Sequence, residues 1–137
     1  MQKAKVYFFL LLSWLIFIFV MSSFESNLSD VQSNLVVDFI SSTIPSSSSL
    51  NLVFIVRKVA HFLEYALLGF LFALNFHTHH KNTLYSVPAS LFYAITDEFH
   101  QLFVSGRSAQ PLDILIDTLG ASFGLLIFYL FQKIHPK

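Results

Sequence analysis

Apolar side chains run almost without interruption from Val6 to Met21, which predicts a helix of roughly the length needed to cross a hydrocarbon core of about 30 Å. Lys3 and Lys5 precede the run, and Ser22 and Ser23 follow it. A basic start and a small-residue exit also describe a secretory signal peptide. The run is long for a signal and its exit lacks an Ala-x-Ala site, so a retained transmembrane helix is expected. Residues 25–49 are Ser-rich, acidic where charged, and contain no Lys or Arg. Within them Leu28, Val31, Leu35, Val36, Phe39 and Ile40 recur at helical spacing, and Ser29-Asp30-Val31-Gln32 has the form of a capping box, which together predict a short amphipathic helix. Its polar face holds Asp30, Gln32, Asn34 and Asp38 rather than lysines, so packing on the rim of a bundle is expected rather than attraction to anionic headgroups.

Pro45 and the serines at 46–49 end that segment, and helical patterning resumes over residues 50–76. At 1.5 Å per residue this helix is about 40 Å long, so its first turns are expected to project into the headgroups. A third helix is predicted over 84–104, with Pro88 tolerated in its first turns, and a fourth from Pro111 to about Gln132. Polar turns separate these elements at 77–82 and 105–108, with Gly106 at a position suited to positive φ. The expected fold is all-α: an integral membrane helical bundle of about four transmembrane helices, with a short amphipathic helix between the first and second.

Composition agrees with lipid as the solvent. The chain is 55% hydrophobic, carries seventeen Phe and is only 12% charged, against about 25% charged in a typical soluble domain. Its 137 residues leave room for a single membrane domain over 1–137 and no separate soluble one. Net charge is zero with no long basic run, so nothing points to a nucleic-acid partner. Cysteine is absent, which excludes disulfides and thiolate metal sites. His77, His79 and His80 share a short turn with no acidic neighbour and are read as solvated, so neither a metal nor another cofactor is expected.

Against this background the polar residues inside the helices stand out, because charge in a bilayer costs several kcal/mol, on the order of 3 by insertion scales. Arg57, His61, Glu64, Tyr65 and Leu68 fall on one stripe of the second helix, with Lys58 at its edge. Asp97, Glu98 and Gln101 lie near the far end of the third helix, and Arg107 lies in the turn beyond it. Asp113 and Asp117 share one side of the fourth helix with Gly120 and Gly124. The last two form a GxxxG, and Gly69 with Ala73 forms a second small-xxx-small pair, both suited to close helix packing. Lys3, Lys5, Lys81, Lys133 and Lys137 are expected on one side of the membrane, and Glu25, Asp30 and Asp38 on the other. The positive-inside rule makes both termini cytoplasmic and gathers the polar groups in the outer half of the bilayer.

Four readings of this cluster compete. Arg57, Lys58 and Arg107 can meet phosphate or carboxylate while the acids and Gln101 bind amide or sugar, giving a headgroup site. Alternatively the cations only neutralise Glu64, Asp97, Glu98 and Asp113 in a structural salt-bridge network, leaving an interaction protein. An enzyme would use His61 or a buried carboxylate, Asp97 or Glu98, as general base on a lipid-linked headgroup, although no nucleophile motif or metal triad accompanies it. A proton-coupled transporter is weaker still, because the polar groups stop in one half of the bilayer.

Lys58-x-x-His61-Phe62-x-x-Tyr65 with Leu68-Gly69, then Asp97-Glu98-x-x-Gln101-x-Phe103-x-x-Gly106-Arg107, then Asp113-x-x-x-Asp117-x-x-Gly120, resembles the VanZ-like family of small bacterial integral membrane proteins. The pattern spans residues 58–124, within an expected family core of 50–131. The resemblance implies a multi-pass protein of the bacterial cytoplasmic membrane with a role at the cell envelope. The family takes its name from a glycopeptide-resistance protein associated with teicoplanin, so the implied ligands are a lipid-linked cell-wall precursor or a lipoglycopeptide. The resemblance implies no particular reaction.

Overall fold

A computed structural model of the chain describes residues 2–24, 49–107 and 109–134. Among these residues there are four α-helices: α1 (Gln2–Ser22), α2 (Ser49–Thr78), α3 (Ser86–Gln101) and α4 (Pro111–Ile134), with a 3-10 turn at Thr83–Tyr85 before α3. No strand occurs among the described residues. The amphipathic helix expected near residues 28–40 lies outside them.

The helix boundaries follow from local chemistry. α2 runs two residues beyond its expected end, and His80 then adopts a left-handed φ of 55° while the Lys81 amide returns to the Phe76 carbonyl at 2.7 Å. That return bond satisfies a carbonyl the helix would otherwise leave open. The single helix expected over 84–104 is shorter. Its start is a 3-10 turn held by the Asn82 side chain, which accepts the Leu84 amide at 2.9 Å, and residues 102–104 are turn rather than helix. At 16 residues α3 is about 24 Å long. Among the described residues, three helical segments are long and apolar enough to cross a membrane: Gln2–Ser22, Phe54–Thr78 and Pro111–Ile134. α3 differs because its buried stripe is largely polar, carrying Ser86, Ser90, Ala94, Asp97, Glu98 and Gln101, while Phe92, Ile95 and Phe99 lie on its exposed face.

The most extensive packing joins α2 and α4. A Cβ on Gly120 would lie 2.3 Å from the Phe62 carbonyl oxygen, and one on Gly69 would lie 2.3 Å from that of Ala121. The two backbones therefore approach to a distance that only a missing side chain permits. Phe62 against Phe123 and Phe70 against Phe128 flank the seam with ring centroids 5.6 and 6.1 Å apart. Ala73 is fully buried beside Leu125 and Phe128.

α1 docks by a different device. Asn75 donates to the Tyr7 carbonyl at 2.9 Å, Trp14 to the Glu64 carbonyl at 3.0 Å, and Tyr93 to the Leu15 carbonyl at 2.6 Å. These bonds set α1 antiparallel to α2. Only Leu11, Ile18 and Ser22 of α1 are buried, and most of its other apolar side chains are exposed, which in a bilayer means contact with lipid tails. With neighbouring helices antiparallel, the C-terminal ends of α1 and α3 meet the N-terminal halves of α2 and α4 at one end of the bundle. Lys3, Lys5, Lys81 and Lys133 lie at the opposite end.

Candidate functional site

The end of the bundle remote from these lysines holds a cavity of about 110 Å³, well above the ~10–15 Å³ that admits one water. α1 supplies Ile18, Met21 and Ser22; α2 supplies Val56, Arg57, Ala60, His61 and Glu64; α3 supplies Asp97, and the following turn Arg107. Two guanidiniums, one imidazole and two carboxylates thus share one small space. The α2 members come from the helical stripe described above. Asp97 reaches the cavity because α3 ends beside the last turn of α1, and Arg107 because Gly106, with φ 74°, turns the chain back.

Arg107 is held in place. Its Nε donates to the Phe24 carbonyl at 3.0 Å and its Nη1 to Gln101 Oε1 at 3.4 Å, while Gln101 Nε2 donates to Asp97 Oδ2 at 3.2 Å. Burial lowers the pKa of Arg107, and the like charge of Arg57 lowers it further, against the opposing pull of Asp97, Glu98 and Glu64. An arginine remains protonated through such a change. The two guanidiniums share the cavity wall with the Glu64 and Asp97 carboxylates, so groups of both signs face the same space.

Behind the cavity, α2 and α4 are joined by polar pairs. Lys58 Nζ bonds Asp113 Oδ1 and also donates to Gln110 Oε1 at 3.2 Å. Glu98 Oε2 accepts the Gln110 backbone N–H at 2.7 Å. His61 Nδ1 stands 3.4 Å from Asp117 Oδ1; the histidine side chain is 16% exposed and the aspartate 1%. Tyr65 is fully buried, with its ring centroid 6.4 Å from that of Tyr93.

The candidate residues thus separate into layers. Arg57, His61, Glu64, Asp97 and Arg107 line the cavity. Gln101 and Asp117 support them, and Tyr65 is packed in the core. Lys58, Glu98 and Asp113 form an adjoining group around Gln110. One contact bears on the salt-bridge reading. Glu98, one of the acids that reading assigns to the three cations, accepts a main-chain amide, because Gln110 at the mouth of α4 presents its N–H to the end of α3. Sequence reasoning passed over Gln110 and Ser22. Ser22 carried a weak signal, as a hydroxyl in the last turn of a largely apolar helix. Gln110 carried a comparable one, as an amide beside the helix-opening Pro111.

Together these features define a small helical membrane protein whose acids and arginines among the described residues, with Lys58 and His61, converge on the end of its bundle opposite the remaining lysines. The chain matches the VanZ/LLP1 family over residues 7–132, and it belongs to that family. The match takes in most of α1 as well as the helices that carry the motif. No curated protein and no solved structure matches the chain.

Proposed function

We propose that the protein binds the polar headgroup of a cell-envelope lipid, or of a glycopeptide-type molecule that carries a lipid tail, in this cavity. One observation carries the reading: Arg57 and Arg107 flank the same space as His61, Glu64 and Asp97. Planar guanidiniums recognise phosphate or carboxylate by two-point contact, and the carboxylates are acceptors for the hydroxyl or amide groups of a sugar or peptide. The lysines at the other end of the bundle support a cytoplasmic placement of that end and of both termini, in the inner membrane of a bacterium. The cavity then opens toward the outer leaflet, where lipid-linked wall precursors and lipoglycopeptides are found, and a contribution to glycopeptide resistance follows from occupying either.

The Lys58–Asp113 and His61–Asp117 pairs favour a second reading, a structural network that ties α2 to α4. Arg107→Lys separates the two. It keeps the charge but loses the planar fork. A headgroup site predicts normal membrane yield with at least a tenfold drop in lipid phosphorus co-purifying with the protein and, in a host where the wild type lowers sensitivity to teicoplanin-type lipoglycopeptides, loss of that protection. Unchanged lipid retention by Arg107→Lys, with failure of Arg107→Ala to accumulate, supports the structural network instead.

A further inference from the structure

Resting on the headgroup reading, we infer that the site is catalytic, with His61 as the acid–base group that cleaves a phosphate ester of the bound lipid headgroup and Asp117 as the carboxylate that positions its ring. Three observations converge on this. The imidazole lines the cavity. Its Nδ1 is buried 3.4 Å from Asp117 Oδ1, within ion-pair range but without hydrogen-bond alignment, which leaves Nε2 as the nitrogen available to a ligand. The two guanidiniums share that cavity wall, where a phosphate would be held.

A histidine that only neutralised an acid inside the bundle would have no need to line a polar cavity that also holds two arginines. A carboxylate behind Nδ1 does what a general base requires: it keeps the proton on Nδ1, leaves Nε2 as the acceptor and stabilises the imidazolium once formed. Contacts of this kind are often long in the absence of substrate and tighten when it binds. Asp117 is suited to the positioning role because it is almost wholly enclosed, one helical turn before Gly120, where α4 lies against the Phe62 carbonyl of α2. The seam that brings the helices together therefore also sets the distance between the two side chains.

The step balances with water as the only co-reactant. His61 Nε2 takes a proton from a water as its oxygen forms a bond to phosphorus. The phosphorus–oxygen bond to the leaving group breaks, and the leaving alkoxide receives that proton from the imidazolium. Arg57 and Arg107 hold the non-bridging oxygens, where negative charge accumulates. The products are a phosphate monoester, or inorganic phosphate, and an alcohol.

The test uses full-length protein reconstituted in vesicles of a bacterial polar-lipid extract, with phosphorus NMR of the lipids and assay of released water-soluble phosphate over time. Wild type should convert one phosphorus resonance into another or release phosphate. His61→Gln and His61→Asn should each slow this by about 10²–10⁴-fold, the usual contribution of a general acid–base group, while retaining co-purified lipid. Asp117→Asn should lower the rate and also displace its pH profile, which loss of a purely structural contact would not do. If wild type retains lipid phosphorus but leaves the spectrum unchanged, or if both His61 variants that fold turn over at the wild-type rate, the catalytic inference is overturned and headgroup binding stands. If wild type retains no lipid phosphorus and changes none, both readings are overturned.

Discussion

Replacing Gly124 by alanine tests whether the contact between α2 and α4 is what assembles the site. The added Cβ would lie 1.9 Å from the Ala66 carbonyl oxygen, 2.8 Å from its carbon and 2.9 Å from the Phe70 nitrogen. All three are backbone atoms, so no rotamer change relieves the overlap. Restoring ordinary contact requires the helices to part locally by roughly 1.5 Å, which loosens packing along the seam. Overpacking of this kind costs about 1–3 kcal/mol, and contact with rigid backbone places it toward the upper end. Helix propensity acts in the opposite direction, because alanine is about 1 kcal/mol better than glycine in a helix interior. The expected net loss is about 2 kcal/mol, or a fall of roughly 5–10 °C in apparent melting temperature for a chain of this size. Size-exclusion chromatography of detergent-solubilised protein after graded heating measures it, with Leu126→Ala on the exposed face of α4 as the control. If Gly124→Ala melts at or above the wild-type temperature, propensity has won and the seam is not close-packed as described.

Lys58→Met should destabilise by up to about 3–5 kcal/mol, because it strands the Asp113 carboxylate, and Lys58→Met with Asp113→Leu should recover most of the loss; a double variant no more stable than the single one, in the same heating assay, would show that the pair is not what matters. His80→Gly should raise the melting temperature, since the left-handed φ of 55° costs a residue with a Cβ about 1 kcal/mol. Reporter fusions at His79 and Ser105 should lie on opposite sides of the membrane, with His79 cytoplasmic. Both reporters on one side would mean that the 16-residue α3 does not cross.

The helical stripe on α2 was legible because a period of 3.6 is a local property: Arg57, His61 and Glu64 share a face whatever surrounds them. The close-packing role of small residues was equally open to reading, since GxxxG spacing repeats along one face of a helix. The end of α3 was harder to place. Leu102 and Phe103 are as apolar as helix residues elsewhere, and the helix stops beneath them because the chain must turn through Gly106 to bring Arg107 back to the end of α1.

Apolar length and the scarcity of charge were enough, from the sequence, to specify a helical membrane bundle, because backbone groups inside a bilayer must be satisfied within the segment that carries them. The identities of the polar residues were equally plain. Their partners were not. Lys58 bonds Asp113 rather than Glu64, six residues further along its own helix, and His61 faces Asp117, while Ser22 joins Arg107 at the cavity. Each of those outcomes depends on how far one helix is rotated and how closely it approaches another. Contacts between distant residues, such as Gly124 against Ala66 and Trp14 against the Glu64 carbonyl, set both quantities, and local periodicity carries no information about them.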